Sequence, residues 1–177
     1  MFFTSEDKRL IDKCLKNDRM AQKDLFEKYY TAMFNIAFRI VREEDLAYDV
    51  VQETFIIVFN NLHRFQFRST LGVWIRKILV REAVRKVKWK TGNEQELKEE
   101  IKDPVVWPDD FTGEYLHKAI MALPDGYRLV FTLVEIEGYS HKEVAQMMNI
   151  SEGTSKSQLY YAKKNLQKKL SNLVKHD

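Results

Sequence analysis

Apolar side chains recur at three- and four-residue intervals through most of the chain, which is the spacing of amphipathic α-helices. One predicted helix spans 20–41, and a second spans 43–61 with acids at its start, where a helix favours them. A third is capped by Ser69 or Thr70 and runs through Trp89. The predicted core positions of these helices are Leu25, Phe26, Tyr29, Met33, Phe34, Ile36, Ala37, Ile40, Leu46, Val50, Phe55, Val58, Leu62, Leu71, Trp74, Ile75, Ile78 and Leu79.

The helical pattern breaks in the middle of the chain. Residues 91–115 contain eight acids and two bases. We interpret 91–111 as an acidic linker between a domain at 1–90 and a domain at 112–177. A long loop inside one domain is the alternative, although such loops are uncommon. The predicted fold class is therefore all-α, with two small helical domains.

Four helices are predicted in the second domain. The first two span 112–123 and 126–137; Pro124 separates them, and Gly138 ends the second. The other two follow in the run GYSHKEVAQMMNISEGTSKSQLYYAKKNLQKKL, residues 138–170. Each part of that run has a physical role.

The run begins with a helix start signal and continues with a tight turn. Ser140 and Glu143 form a capping box. Asn149 tolerates the left-handed backbone of a sharp turn, Ile150 fills the gap between the helices, and Ser151 caps the next helix. A short helix, a tight turn and a longer basic helix are typical of the helix-turn-helix, whose second helix enters the major groove. A plain helical hairpin is the alternative.

The second helix of this motif has an inner and an outer face. Leu159, Ala162 and Leu166 are predicted to face inward. Hydroxyls and amides near the helix start can contact base edges, and lysines can contact phosphates. The predicted DNA-contacting residues of the helix are Thr154, Lys156, Ser157, Gln158, Tyr160, Tyr161, Lys163 and Lys164.

Charge is arranged in blocks, although the net charge is only +3. Residues 64–90 hold nine Lys or Arg and one acid, and residues 139–177 hold seven Lys and three acids. Residues 43–53 hold five acids and no base. The two basic blocks indicate two anion-binding surfaces, although solvated helix faces can also be basic.

The sequence gives little support to a disulfide-bonded, zinc-binding, enzymatic, secreted or membrane protein. Cys14 is the only cysteine, so it forms no internal disulfide or Cys-rich zinc site, and we expect a packed side chain rather than a redox sensor. The four histidines are scattered, and catalytic or phosphate-binding motifs are absent from the sequence. No catalytic residue, metal ligand or cofactor is predicted. Without a signal peptide or a window of about 20 apolar residues, we expect a cytoplasmic protein.

The sequence resembles the bacterial sigma factors of the extracytoplasmic-function (ECF) group. The run LPDGYRLVFTLVEIEGYSHKEVAQMMNISEGTSKSQLYYAKKNLQKKL, residues 123–170, is similar to their C-terminal domain, whose pattern is L-P-x-x-x-R-x-V-F, E-G-x-S-x-x-E-I-A and I-S-x-G-T-V-K-S-R-L. The runs EEDLAYDVVQETFIIVFNNLHRF (43–65) and LGVWIRKI (71–78) are similar to their N-terminal patterns. The family usually has Val at the position of Ser155 and Arg at the position of Gln158. We expect Gln158 to alter the base preference at the minus-35 promoter element.

The resemblance implies that the N-terminal domain opens the minus-ten promoter element and that the C-terminal domain reads the minus-35 element. The family commonly has Gly at the position of Phe67 and Asn at the position of Arg81. The resemblance therefore leaves open which base this loop accepts. Trp74 is interpreted as a core residue rather than a stacking surface. The residues implied in strand opening are Arg64, Phe65, Phe67, Arg68, Arg76, Lys77, Arg81 and Arg85.

The resemblance also implies protein partners. Asp49, Gln52 and Glu53 form the implied docking surface for core RNA polymerase, whose clamp and flap bind members of this family; a solvated helix face is the alternative. Promoter DNA and an anti-sigma protein are the other implied partners. A conventional helix-turn-helix regulator is the rival hypothesis, but it leaves the N-terminal acidic and basic blocks unexplained. A pure adaptor is a further alternative.

Overall fold

The computed structural model describes residues 5–87 and 112–174, and in these residues all regular structure is helical, which confirms the predicted fold class. Two compact units divide after Val87; they are called the N-terminal unit and the C-terminal unit. The predicted linker at 91–111 lies outside the described residues. The helices are α1 (Ser5–Leu15), α2 (Arg19–Val41), α3 (Glu44–Asn61), α4 (Leu71–Lys86), α5 (Gly113–Met121), α6 (Asp125–Phe131), α7 (His141–Met148) and α8 (Glu152–Val174).

In the N-terminal unit, α2, α3 and α4 pack against one another, and α1 packs against α2. Most predicted core positions are buried; Phe26, Tyr29, Phe34, Leu46, Trp74 and Ile78 are half-buried instead. The half-buried rings still contribute, since Phe26 meets Phe55 edge-on with centroids 4.8 Å apart. The core of this unit is therefore largely the one that helical spacing predicts.

Helix boundaries in this unit follow local capping chemistry. The Asp18 carboxylate accepts hydrogen bonds from the backbone N–H groups of Met20 and Ala21 at the start of α2. Of the two candidate caps for α4, Thr70 is the one used, and its Oγ1 accepts from the Val73 N–H at 3.3 Å. The prediction that this helix runs through Trp89 is wrong: Val87 has extended backbone angles, which end the helix at Lys86.

The C-terminal unit is built around α8, which packs against α5, α6 and α7. Its fully buried apolar side chains are Val130, Leu133, Val144, Ala162, Leu166 and Leu170. Arg128 is also almost fully buried, at 1% exposure, and it forms an ion pair with Asp125 at 3.1 Å. Every helix of the unit therefore has an apolar face against the long last helix.

The predicted helix at 126–137 is present, but its second half is not an α-helix. The α-helix ends at Phe131, and residues Thr132–Ile136 form a wider π-helical turn. Its hydrogen bond runs from the Glu137 N–H to the Thr132 carbonyl, 2.9 Å away. Gly138 then adopts a φ of 76°, which suits glycine and ends the helical segment where it was predicted to end.

The environment of Cys14 bears on the prediction that its side chain is packed. Cys14 is buried, and burial, with a smaller contribution from nearby Asp18 and Asp24, raises the pKa of its thiol to about 11, as fits a packed side chain. Within residues 5–87 and 112–174, no three His, Cys, Asp or Glu side chains are grouped to hold a metal ion. Among the same residues, no helix is long and apolar enough to cross a membrane.

Candidate nucleic-acid and polymerase interfaces

The capping box predicted at the start of α7 is present. The Ser140 Oγ accepts from the Glu143 N–H at 3.3 Å, and the Glu143 carboxylate accepts from the Ser140 N–H at 2.9 Å. Two backbone N–H groups at this helix start, which have no partner within the helix, are thereby satisfied by neighbouring side chains. The first helix of the motif therefore begins at a position fixed by local sequence.

The turn between α7 and α8 has the predicted geometry. Asn149 adopts the left-handed conformation, with φ 55° and ψ 45°. Ile150 is half-buried between the helices. Ser151 caps α8, since its Oγ accepts from the Thr154 N–H at 2.9 Å. The helix-turn-helix arrangement is thus confirmed, and a plain hairpin is not what this chain forms.

The inner stripe of α8 contains more residues than the sequence analysis assigned to it. Leu159, Ala162 and Leu166 are buried as predicted. Gln158 is also buried, at 6% exposure, so the prediction that it faces outward is wrong. Its position explains this, because Gln158 lies four residues before Ala162 and three after the fully buried Ser155, on the same side of the helix.

The remaining residues predicted to contact DNA are accessible to different degrees. Lys156 and Lys164 are exposed, whereas Thr154, Ser157, Tyr160, Tyr161 and Lys163 are half-buried. Two of the lysines are engaged within the chain: Lys156 pairs with Glu152 and Lys163 with Glu135, each at 2.8 Å. The exposed pair with Lys156 lowers the pKa of the Glu152 carboxyl. DNA phosphates would compete with both carboxylates for these lysines.

A second basic surface lies in the N-terminal unit, on the loop before α4 and on α4 itself. Arg64, Phe67, Arg68, Lys77, Arg81 and Arg85 are exposed, and Arg76 is half-buried. Phe65 is buried at 7% exposure, so the prediction that it offers its ring to a DNA strand is wrong. Its ring packs against Phe67 and Trp74, with centroids 4.9 Å and 5.4 Å away. Phe65 therefore supports the surface from below.

Phe67 is the unusual residue of this loop. Its φ is 56°, a conformation that residues with a side chain adopt rarely and at a cost. Its ring is 42% exposed although it contacts Phe65. An exposed aromatic ring next to Arg64 and Arg68 can stack with an unpaired base while the arginines contact the strand backbone.

The acidic face of α3 contains the residues predicted to dock on polymerase. Asp49 and Gln52 are exposed. The Glu53 carboxylate is half-buried and pairs with Lys86 at 2.6 Å and Arg85 at 3.8 Å, both on α4. Arg85 also pairs with Glu82. The acidic face is therefore in direct contact with one end of the basic surface.

Apolar side chains on the same face were missed by the sequence analysis. Tyr48 is 45% exposed and Ile56 is 61% exposed. They lie four residues to either side of Gln52, so all three are on one side of α3. That spacing was a readable signal, because it falls opposite the core positions Val50 and Val58. Exposed apolar side chains with acids around them are typical of a protein-binding surface.

The comparison with known protein families decides between a sigma factor, a conventional helix-turn-helix regulator and an adaptor. Sigma-70 region 2 matches residues 25–91, and sigma-70 region 4 matches residues 113–166. The chain belongs to the ECF group of the sigma-70 family. This sigma factor is therefore a transcription initiation factor that binds core RNA polymerase and promoter DNA, as the sequence predicted.

Relatives of this sigma factor match along nearly its whole length. The RNA polymerase sigma-H factor of Pseudomonas aeruginosa is 26% identical over 192 residues, which cover 99% of each chain. The ECF RNA polymerase sigma factor SigW of Bacillus subtilis is 25% identical, covering 94% of this chain and 97% of SigW.

Solved structures share the fold of this sigma factor. CnrH, solved in complex with the cytosolic domain of CnrY, has a TM-score of 0.51 at 19% identity, covering 97% of this chain and 98% of CnrH. The sigma factor RpoE of Bartonella quintana, solved with the anti-sigma factor NepR, has a TM-score of 0.50 at 23% identity, covering 84% of this chain and 98% of RpoE. Both likenesses concern the fold alone.

Proposed function

We propose that this sigma factor divides promoter recognition between its two basic surfaces. The outer face of α8 reads the minus-35 element as duplex, and the loop at 63–68 with α4 holds the opened minus-ten strand. The observation that carries this division is that one surface is a capped helix-turn-helix while the other combines exposed arginines with the exposed Phe67 ring. The second helix of a helix-turn-helix fits the major groove, and an aromatic ring with cations fits an unpaired base.

The acidic face of α3 is proposed to bind core polymerase. Its carboxylates suit basic residues on the polymerase clamp, and the exposed Tyr48 and Ile56 provide apolar area that excludes water from those contacts. Glu53→Lys is expected to weaken core binding, because it places a cation where the proposed contact needs an anion. Unchanged affinity of this variant for core polymerase would contradict the assignment of Glu53.

The proposal also covers where the protein acts, whether it catalyses a reaction, and one further protein partner. The protein acts in the cytoplasm and catalyses no reaction itself, because polymerase performs the chemistry. An anti-sigma protein that binds this chain is proposed on the basis of the fold likeness to RpoE, whose structure was solved with one. Co-purification from the native host, followed by mass spectrometry, would test whether such a partner exists.

In vitro transcription with bacterial core RNA polymerase on a genomic promoter library tests the central proposal. Start sites that appear only with this protein are expected, and their aligned upstream sequences give both promoter elements. The variant Arg68→Ala/Lys77→Ala is expected to reduce strand opening without reducing core affinity, because both side chains are exposed on the proposed strand-binding surface. Lys23→Ala, an exposed lysine on α2, is the matched control and should behave as the wild type.

A further inference from the structure

A side-chain hydrogen bond joins the two helices of the helix-turn-helix directly. The Nδ1 atom of His141 lies 2.9 Å from the Oγ of Ser155. His141 is the first residue of α7, and Ser155 lies within the first turn or so of α8. Ser155 is fully buried, whereas His141 is half-buried. The hydrogen bond therefore spans the interface between the helices at a position shielded from water on the Ser155 side.

This hydrogen bond constrains a part of the motif that the apolar contacts leave less defined. α7 places only Val144 and Met148 in the buried core. Apolar contacts are non-directional, so these two side chains alone fix the orientation of α7 against the start of α8 only weakly, while α8 is otherwise held by its packing against α5 and α6. A hydrogen bond is directional and becomes poor when either partner rotates. The His141–Ser155 hydrogen bond thus adds an orientational restraint at the start of α8.

The neighbours of Ser155 give this restraint its consequence. Thr154 and Lys156 flank Ser155 in the sequence and lie on the surface proposed to contact DNA. A small rotation at Ser155 moves both side chains relative to the base edges and phosphates. Discrimination among bases depends on such placement, since hydrogen bonds to base edges require defined geometry.

We propose that His141 is a positioning residue that acts through Ser155 to set which minus-35 sequences this protein accepts. The inference rests on the proposed reading of the minus-35 element by α8. His141 itself needs no contact with DNA in this proposal.

An isosteric pair of variants tests the role of the hydrogen bond. Ser155→Thr keeps a hydroxyl, and Ser155→Val has the same shape without one. The readout is transcription by core polymerase from promoters that differ by single bases in the minus-35 element. Ser155→Thr is expected to keep the wild-type preference, and Ser155→Val is expected to lose about fivefold of it at one or more positions, which is the low end of what a mismatched base pair costs.

Variants at position 141 complete the test. His141→Phe is expected to reproduce the loss, while His141→Asn, whose side-chain amide can reach the place of Nδ1, should restore part of the preference. The double variant His141→Phe/Ser155→Val should be no worse than either single variant, because both remove one shared contact. Thermal unfolding of each variant separates a folding defect from a change in preference.

The possible outcomes separate the positioning role of His141 from the reading of the minus-35 element by α8. If the preference of Ser155→Val equals that of Ser155→Thr, or if the two single losses add in the double variant, the positioning role of His141 is overturned while the sigma factor activity stands. If the wild type itself shows no minus-35 preference, the proposed reading by α8 fails, and the positioning role falls with it.

Discussion

The helix-turn-helix and the loop with α4 both present basic side chains, but they are held in place by different means. In the helix-turn-helix, each helix start is capped by a side chain three residues away, and Asn149 supplies the left-handed turn. In the N-terminal unit, the loop depends on Phe65 packing against Trp74, nine residues along the chain, and it holds Phe67 in a strained conformation. Side-chain caps and a turn residue therefore dominate in the first surface, and packing between aromatic rings dominates in the loop of the second.

This difference fits the two forms of DNA that the surfaces are proposed to bind. Duplex DNA presents a groove of nearly constant geometry, so a helix that is fixed before binding loses little conformational entropy there. A melted strand has no fixed geometry, and sequence-tolerant stacking on an exposed ring suits it. Strain at Phe67 is consistent with a loop whose conformation serves binding at some cost in stability.

The largest expected effect comes from removing the core support of α8. Leu166 is fully buried, so Leu166→Ala is expected to destabilise the C-terminal unit by about 2–5 kcal/mol, through lost apolar contacts and the cavity left behind. Urea unfolding measures the loss, and hydrogen exchange locates it. Amides of α2 and α3 should keep their protection, and Lys168→Ala, an exposed change on the same helix, should leave both units unaffected. Equal loss of amide protection in both units would show that the two basic surfaces do not have separate structural supports.

The next effect separates a buried residue from a surface residue of α8. Gln158→Ala is expected to cost about 1–2 kcal/mol in unfolding free energy, because Gln158 is buried, and to leave the minus-35 preference unchanged. Thr154→Ala should do the reverse, changing the preference with a smaller effect on stability. Denaturation curves and transcription from minus-35 variants measure the two quantities. A changed preference in a fully folded Gln158→Ala protein would show that Gln158 contributes to base recognition despite its burial.

The Gln158 error shows where sequence reasoning reached its limit. The capping residues, the Asn149 turn and the inward leucines were predictable, because each depends on neighbours within four residues. The outward placement of Gln158 followed from its polarity, although its helical position lies on the stripe that Ala162 defines. Ser155, a second polar residue on that stripe, is accommodated by a hydrogen bond to His141, fourteen residues away. Sequence alone gives no sign of that partner.

The N-terminal surface was predicted in position but not in detail, for a related reason. The resemblance to the family indicated which segment opens DNA, yet it assigned Phe65 and Phe67 the same role. The structure separates them, because Phe65 turns into the core against Trp74 while Phe67 stays exposed. The pairing of Glu53 with Lys86, thirty-three residues later, was equally hidden, since it depends on how α3 packs against α4.

A smaller effect on stability is expected at Phe67. Phe67→Gly relieves the left-handed strain but loses the ring contact with Phe65, so the unfolding free energy should change by about 1 kcal/mol or less. Opening of the minus-ten element should nevertheless fall, because the exposed ring is gone. Fluorescence of a 2-aminopurine base in a minus-ten strand, bound by the protein with core polymerase, reports the stacking. Phe67→Asn tolerates the same backbone without the ring and should open DNA as poorly as Phe67→Gly.

The smallest expected effect concerns the contact between the acidic face and the basic surface. Lys86→Met removes the closer cation from Glu53 and keeps most of the apolar stem, so the cost in unfolding free energy should be about 1 kcal/mol or less and should shrink as salt is raised. The matched control is Lys23→Met, which removes one partner of the exposed Lys23–Glu27 pair at 3.7 Å and should cost no more than a few tenths of a kcal/mol. Denaturant unfolding at low and high salt measures both. If Lys86→Met costs nothing at low or high salt, the lysine stem, which Met keeps, rather than its charge holds α4 against α3, and the N-terminal surface would then rest on apolar packing throughout.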